Sequence, residues 1–108
     1  MTWTRLSDDF VDRPKVLGLS DAAFRTHVEA LVWCNRQLTD GVLPADPALL
    51  GRILSHPEAI PELVAAGLWV HAEGTYILDW VDQEQAADVM ERRRKQRERQ
   101  QRFRQRKA

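Results

Sequence analysis

The last eighteen residues constrain this chain more than anything else in it. From Glu91 to Ala108 there are ten Lys/Arg against two Asp/Glu, a net of +8, with neither Gly nor Pro. Such a segment cannot enter a hydrophobic core, so the fold must come from residues 1–90. There six Lys/Arg face fourteen Asp/Glu, a net of −8. The formal charge of zero is the sum of these opposed halves. Like charges packed this closely repel until a polyanion or an acidic partner neutralises them, so the tail asks for a partner.

The rest of the composition bounds the class. With 44% apolar and 30% charged residues the chain can bury one core, and no apolar run nears the ~18 residues that span a bilayer. No signal pattern opens the sequence, and Cys34 has no second cysteine to pair with, which points to a reducing, cytoplasmic setting without a membrane.

Along the chain, Trp3, Leu6 and Phe10 read as an irregular or short extended stretch ended by Pro14, with Val16 and Leu17 leading into the first helix. Ser20 is its N-cap, and Phe24, Val28, Leu31 and Cys34 to Leu38 its apolar face, over about Asp21 to Arg36. Thr39-Asp40-Gly41 make a turn, and Val42-Leu43 before Pro44 a short extended piece able to pair with a later hairpin. A second helix covers about Pro47 to Leu54. Pro57 and Pro61, four apart, cannot both sit inside one helix. A lead-in turn at Pro57–Ile60 followed by a helix from Pro61 to Ala66, closed by Gly67, resolves this. Leu68–His71 and Thr75–Leu78 around Glu73-Gly74 read as a β-hairpin. The expected fold is mainly α with a small β-hairpin (α+β). Its order is that of a winged helix-turn-helix over residues 1–80, followed by a basic C-terminal helix or tail over 81–108. Phe24, Val28, Leu31, Leu49, Leu63, Leu68 and Ile77 are expected to meet in one core. Trp33, Trp69, Trp80 and Cys34 join them as core or interface side chains.

Several of these pieces together resemble one family: Trp3 with Leu6, Pro14-Lys15-Val16-Leu17 then Leu19-Ser20, Thr39-Asp40-Gly41, Leu63-Val64-Ala65-Ala66-Gly67-Leu68-Trp69, Tyr76-Ile77 to Asp79-Trp80, and the Arg-rich run. The chain is similar to the winged-helix domain at the start of phage replisome-organiser and DnaD-like replication initiation proteins, in the short versions of actinobacterial phages and prophages. The resemblance implies DNA replication or phage gene control. Larger members continue past the basic run into a domain that handles single-stranded DNA or recruits helicase components, whereas this sequence stops at its basic run.

Asp82 to Lys107 is rich in Gln, Glu, Arg, Lys and Ala, all tolerant of helix. Val81, Ala86, Val89 and Met90 support packing at its start, and only Phe103 follows. Two uses stay open for that 81–90 stripe: pairing two copies as a homodimer, or packing back on its own domain. Arg92, Arg93, Arg94, Lys95, Arg97, Arg99, Arg102, Arg104, Arg106 and Lys107 would surround the helix on most sides, so that isolated in water it should fray and gain order with a partner; the alternative is a solvated, disordered tail. Arginine outnumbers lysine eight to two, which suits bidentate bonding to phosphate. The expected partner is DNA, with RNA as its variant, in a nucleoid-associated protein. The other reading is an interaction module whose tail binds an acidic partner among the replication or transcription machinery. From Ser55 to Trp69 there is no Lys, Arg, Asn or Gln, so the helix that would read bases has no donors. Arg52 and His56 are the donors nearby, and Arg52 joins the tail as a candidate contact. No catalytic, cofactor or metal motif stands out, since His27, His56 and His71 lie in different elements.

Overall fold

In the computed structural model, which describes residues 2–107, the opening stretch is irregular, one of the two expected readings, but Pro14 opens a helix instead of ending that stretch. A 3-10 turn at Phe10–Asp12 leads into the one-turn helix α1, Pro14–Leu17. The expectation for this segment is corrected accordingly: proline at a first helical position gives up an N–H that has no intrahelical partner anyway. The long helix α2, Asp21–Gln37, begins as expected, with Ser20 Oγ accepting from Ala23 N at 3.2 Å. Ser20 in turn donates its backbone N–H and its hydroxyl to the two Glu62 carboxylate oxygens, each at 2.7 Å. These bonds hold the Glu62 carboxyl below its ordinary value.

Strand β1, Val42–Pro44, follows, then α3, Pro47–Ile53, capped by Asp46. The two prolines resolve as their spacing demands, with a 3-10 turn at Pro57–Ala59 and then α4, Ile60–Ala65. Helix α4 ends in a Schellman pair, Gly67 N to Val64 O at 3.0 Å and Leu68 N to Leu63 O at 3.2 Å. Strands β2, Trp69–Ala72, and β3, Thr75–Leu78, form the hairpin. Its turn places Glu73 at φ 45 and Gly74 at φ 76, the sign that a type I′ turn requires. The sheet is antiparallel in the order β1-β3-β2, so the short piece before Pro44 pairs with the hairpin.

Register decides which side chains reach the core. Trp69 pairs with Leu78, and Val70 and Val42 both pair with Ile77. Trp69, Leu78 and Leu43 therefore point inward and are buried, with Leu31, Leu63 and Leu68. Val42, Ile77 and Val70 form an exposed row on the opposite face. Ile77 is thus corrected out of the core, because alternate side chains leave a strand on opposite faces and Leu78 takes the inner place. Phe24 packs half-buried against the core, and Val28 and Leu49 are half-buried. Cys34 and Trp69 are buried, Trp33 and Trp80 partly so.

Gly41 fits because it lacks a side chain. It sits at φ +84, and a Cβ there would lie 2.9 Å from Trp80 Cε3. Gly41→Ala should destabilise the domain by about 3 kcal/mol, through the left-handed backbone and the clash with the ring, read as a lower midpoint in urea.

The final helix starts later than its composition suggests. Residues 79–85 turn, and α5 runs from Ala86 to Lys107. Asp40 Oδ1 accepts from Ala86 N at 2.6 Å, capping the helix from a turn 46 residues away. Ala86 and Val89 are buried on the chain's own domain, while Val81 and Met90 are exposed. Just before α5, buried Gln83 accepts through Oε1 from Arg5 N at 3.0 Å and Asn35 Nδ2 at 3.1 Å, and its Nε2 donates to Arg5 O at 2.6 Å. No described helix is long and apolar enough to cross a membrane.

Candidate nucleic-acid interface

Helix α5 sorts its cations by face. At 3.6 residues per turn, Arg92, Lys95, Arg99, Arg102 and Arg106 follow one another at spacings of three and four, a single stripe about 21 Å long. Arg93, Arg97 and Arg104 lie on another side. Arg94 stands apart from both, bonding Glu91 and Glu98 at 2.5 Å each. The hydrogen bonds and charge of Glu91 raise the Arg94 pKa, and Arg94 holds Glu91 below its ordinary value. One arginine therefore pairs with both tail carboxylates, and the stripe side chains beyond Arg92 make no ion pair with either among the described residues, although Glu91 stands one turn before Lys95, whose charge also lowers the Glu91 pKa. The expectation of cations on most sides is thus refined into two sets divided by a neutralised ridge.

At its root the stripe is tied down. Arg92 pairs with Glu84, which also meets Arg5 at 3.5 Å, and Arg93 donates to Thr2 Oγ1 at 3.0 Å. Farther out, Lys95, Arg97, Arg99, Arg102, Arg104 and Arg106 are exposed and make no ion pair among the described residues. The side chain of Lys107 lies outside the described residues. With Ala86 and Val89 buried and later residues in solvent, the distal half of α5 projects from a molecule whose extents are 58 × 33 × 22 Å.

Arg52 is placed elsewhere. It lines a groove of about 760 Å³ between α2 and α3 with Arg25, Arg36, Glu29 and the apolar Phe24, Val28, Val32, Trp33 and Ile53. Val32 and Arg36 also line a smaller cavity with Arg93, so the groove and the root of α5 adjoin through these two residues. Arg25 and Arg36 were not among the expected contacts. Their signal was available, since eleven residues are three helical turns and put both on one face of α2.

The acidic residues that would oppose phosphate near α4 are engaged. Glu62 is held by Ser20, and Glu58 Oε1 lies 3.2 Å from His56 Nδ1. Buried His27 serves the core: the Trp69 indole N–H donates to its Nδ1 at 2.9 Å, and burial pushes its pKa down to about 4. Burial also pushes the Cys34 thiol up, away from nucleophilic use. Among the described residues no group of three His, Cys, Asp or Glu side chains is placed to hold a metal ion. Comparison of the chain with family models, curated proteins and solved structures returns no match.

Proposed function

We propose that the chain is a nucleic-acid-binding protein in which a winged-helix domain carries a basic helix, α5, that contacts the phosphates of duplex DNA. The order α2, β1, α3, α4, hairpin, with β1 completing a three-stranded sheet, supports the winged-helix reading. The observation that carries the function is the stripe of Lys95, Arg99, Arg102 and Arg106, exposed and making no ion pair among the described residues. Together with the family resemblance, it supports a role in replication initiation or transcriptional control of a phage or mobile element. Neutralising four phosphates should give a slope of about −4 in log affinity against log salt. That is a loss of roughly two orders of magnitude between about 50 and about 200 mM. Fluorescence anisotropy on a random-sequence duplex measures it. A flat slope, or binding only to an acidic protein and to no duplex, overturns the reading.

A further inference from the structure

The groove between α2 and α3 collects what the rest of the acidic domain lacks. Three of the six Lys/Arg in residues 1–90 line it, Arg25, Arg36 and Arg52, against the single carboxylate of Glu29. Glu29 is already committed, accepting from Ser55 N at 2.9 Å and Ser55 Oγ at 2.6 Å and meeting Arg25 Nε at 3.7 Å. Arg36 and Arg52 are exposed and make no ion pair among the described residues. Between them lie the half-buried apolar side chains Phe24, Val28, Val32, Trp33 and Ile53.

We propose that this groove docks an amphipathic acidic helix of a partner protein. Its apolar face would lie on Val28, Val32 and Trp33, and flanking carboxylates would meet Arg36 and Arg52. Phe24 to Arg36 spans about 18 Å of α2, the length of a helix of some three turns. Aliphatic side chains at the floor favour this occupant over a phosphate backbone, which would be desolvated against hydrocarbon without donors beneath it. Arginine around an apolar centre is also the composition of protein interface hot spots.

The basic stripe of α5 would itself attract acidic peptides, so the test must separate the two surfaces. The full chain with Lys95, Arg99, Arg102 and Arg106 changed to Gln serves as bait for a displayed library of random 16-residue peptides. Enriched peptides are then synthesised and titrated by anisotropy. The expected result is enrichment of peptides with apolar residues at i, i+3, i+4 and i+7 and Glu or Asp beside them. Their affinity should fall roughly tenfold with Arg52→Glu, with Arg36→Glu and with Val28→Asp. Arg52→Glu and Arg36→Glu alter exposed side chains, and an unchanged melting curve separates impaired docking from a damaged fold. No enrichment, or enriched peptides indifferent to these changes, overturns the proposal. So does displacement of the peptides by a single-stranded oligonucleotide, which would make the groove a nucleic-acid site. A dimer of the unmodified chain that Arg52→Glu dissolves would assign the groove to a second copy and overturn it too.

Discussion

With Lys95, Arg99, Arg102 and Arg106 changed together to Gln, affinity for duplex DNA should fall roughly a thousandfold at about 0.1 M salt, because every phosphate left without a protein cation keeps its counterions condensed on the DNA. Glutamine has nearly the helix propensity of lysine and arginine, so α5 should persist, as far-ultraviolet circular dichroism would verify. Position matters as much as charge in this expectation. Changing Arg93, Arg97 and Arg104 to Gln removes three charges from another side of the helix, and should weaken binding only roughly tenfold. Equal weakening per charge in the two sets would mean that α5 acts as a diffuse cation and not through one stripe. Unchanged affinity in the fourfold variant would remove DNA binding from the stripe.

Acid should weaken the fold well before the carboxylates protonate. His27 is buried with its Nδ1 accepting from Trp69, and an indole N–H can only donate, so that nitrogen must be bare. Desolvation is the main cause of a folded pKa of about 4 against an ordinary 6.5, with Asp79 acting weakly the other way. Above about pH 6.5 neither state holds the proton, and the full stability is present. As pH falls from about 6.5 to about 4 the unfolded chain takes up a proton that the folded one refuses, and about 3 kcal/mol is lost. Urea unfolding followed across that range measures this. His27→Gln keeps an acceptor for Trp69 and cannot titrate, so from about pH 6.5 to about pH 5, above the range in which carboxylates such as Glu62 lose their contribution, its stability should stay flat, whatever the offset from repacking. A wild-type profile as flat as that of the variant would mean that His27 is protonated in the fold.

Local signals carried much of this structure. Ser20 marked the start of α2, the Pro57 and Pro61 spacing set the turn before α4, Glu73-Gly74 set the hairpin, and the Gly- and Pro-free tail set α5. The misreadings occur where local pattern is silent. Thr75 to Leu78 offers two adjacent apolar residues, Ile77 and Leu78, and only pairing with Trp69 decides which faces inward. Val28 and Leu49 fit a core face by spacing, yet both stay half-buried. For the candidate site, the three-and-four spacing of the stripe is written in the tail, but which cation pairs with Glu91 and Glu98 is not: each lies one turn before a stripe residue, and both are bonded by Arg94. Polar bonds such as Asp40 to Ala86 and Gln83 to Asn35 join residues 46 and 48 apart, and no periodicity announces them.

Gln83 also closes a circuit. Its amide bonds both the N–H and the carbonyl of Arg5, 78 residues away, in the manner of a neighbouring strand, while Arg93 reaches Thr2 from the root of α5. The N-terminal arm and α5 are thereby shut in one noncovalent clasp, which does by hydrogen bonds what a crosslink does by a covalent bond: it joins distant segments into a loop. The arm and the root of α5 should accordingly open and close as one cooperative unit, so that strain or bulk placed on the arm is transmitted directly to the helix that projects from the far side of the clasp.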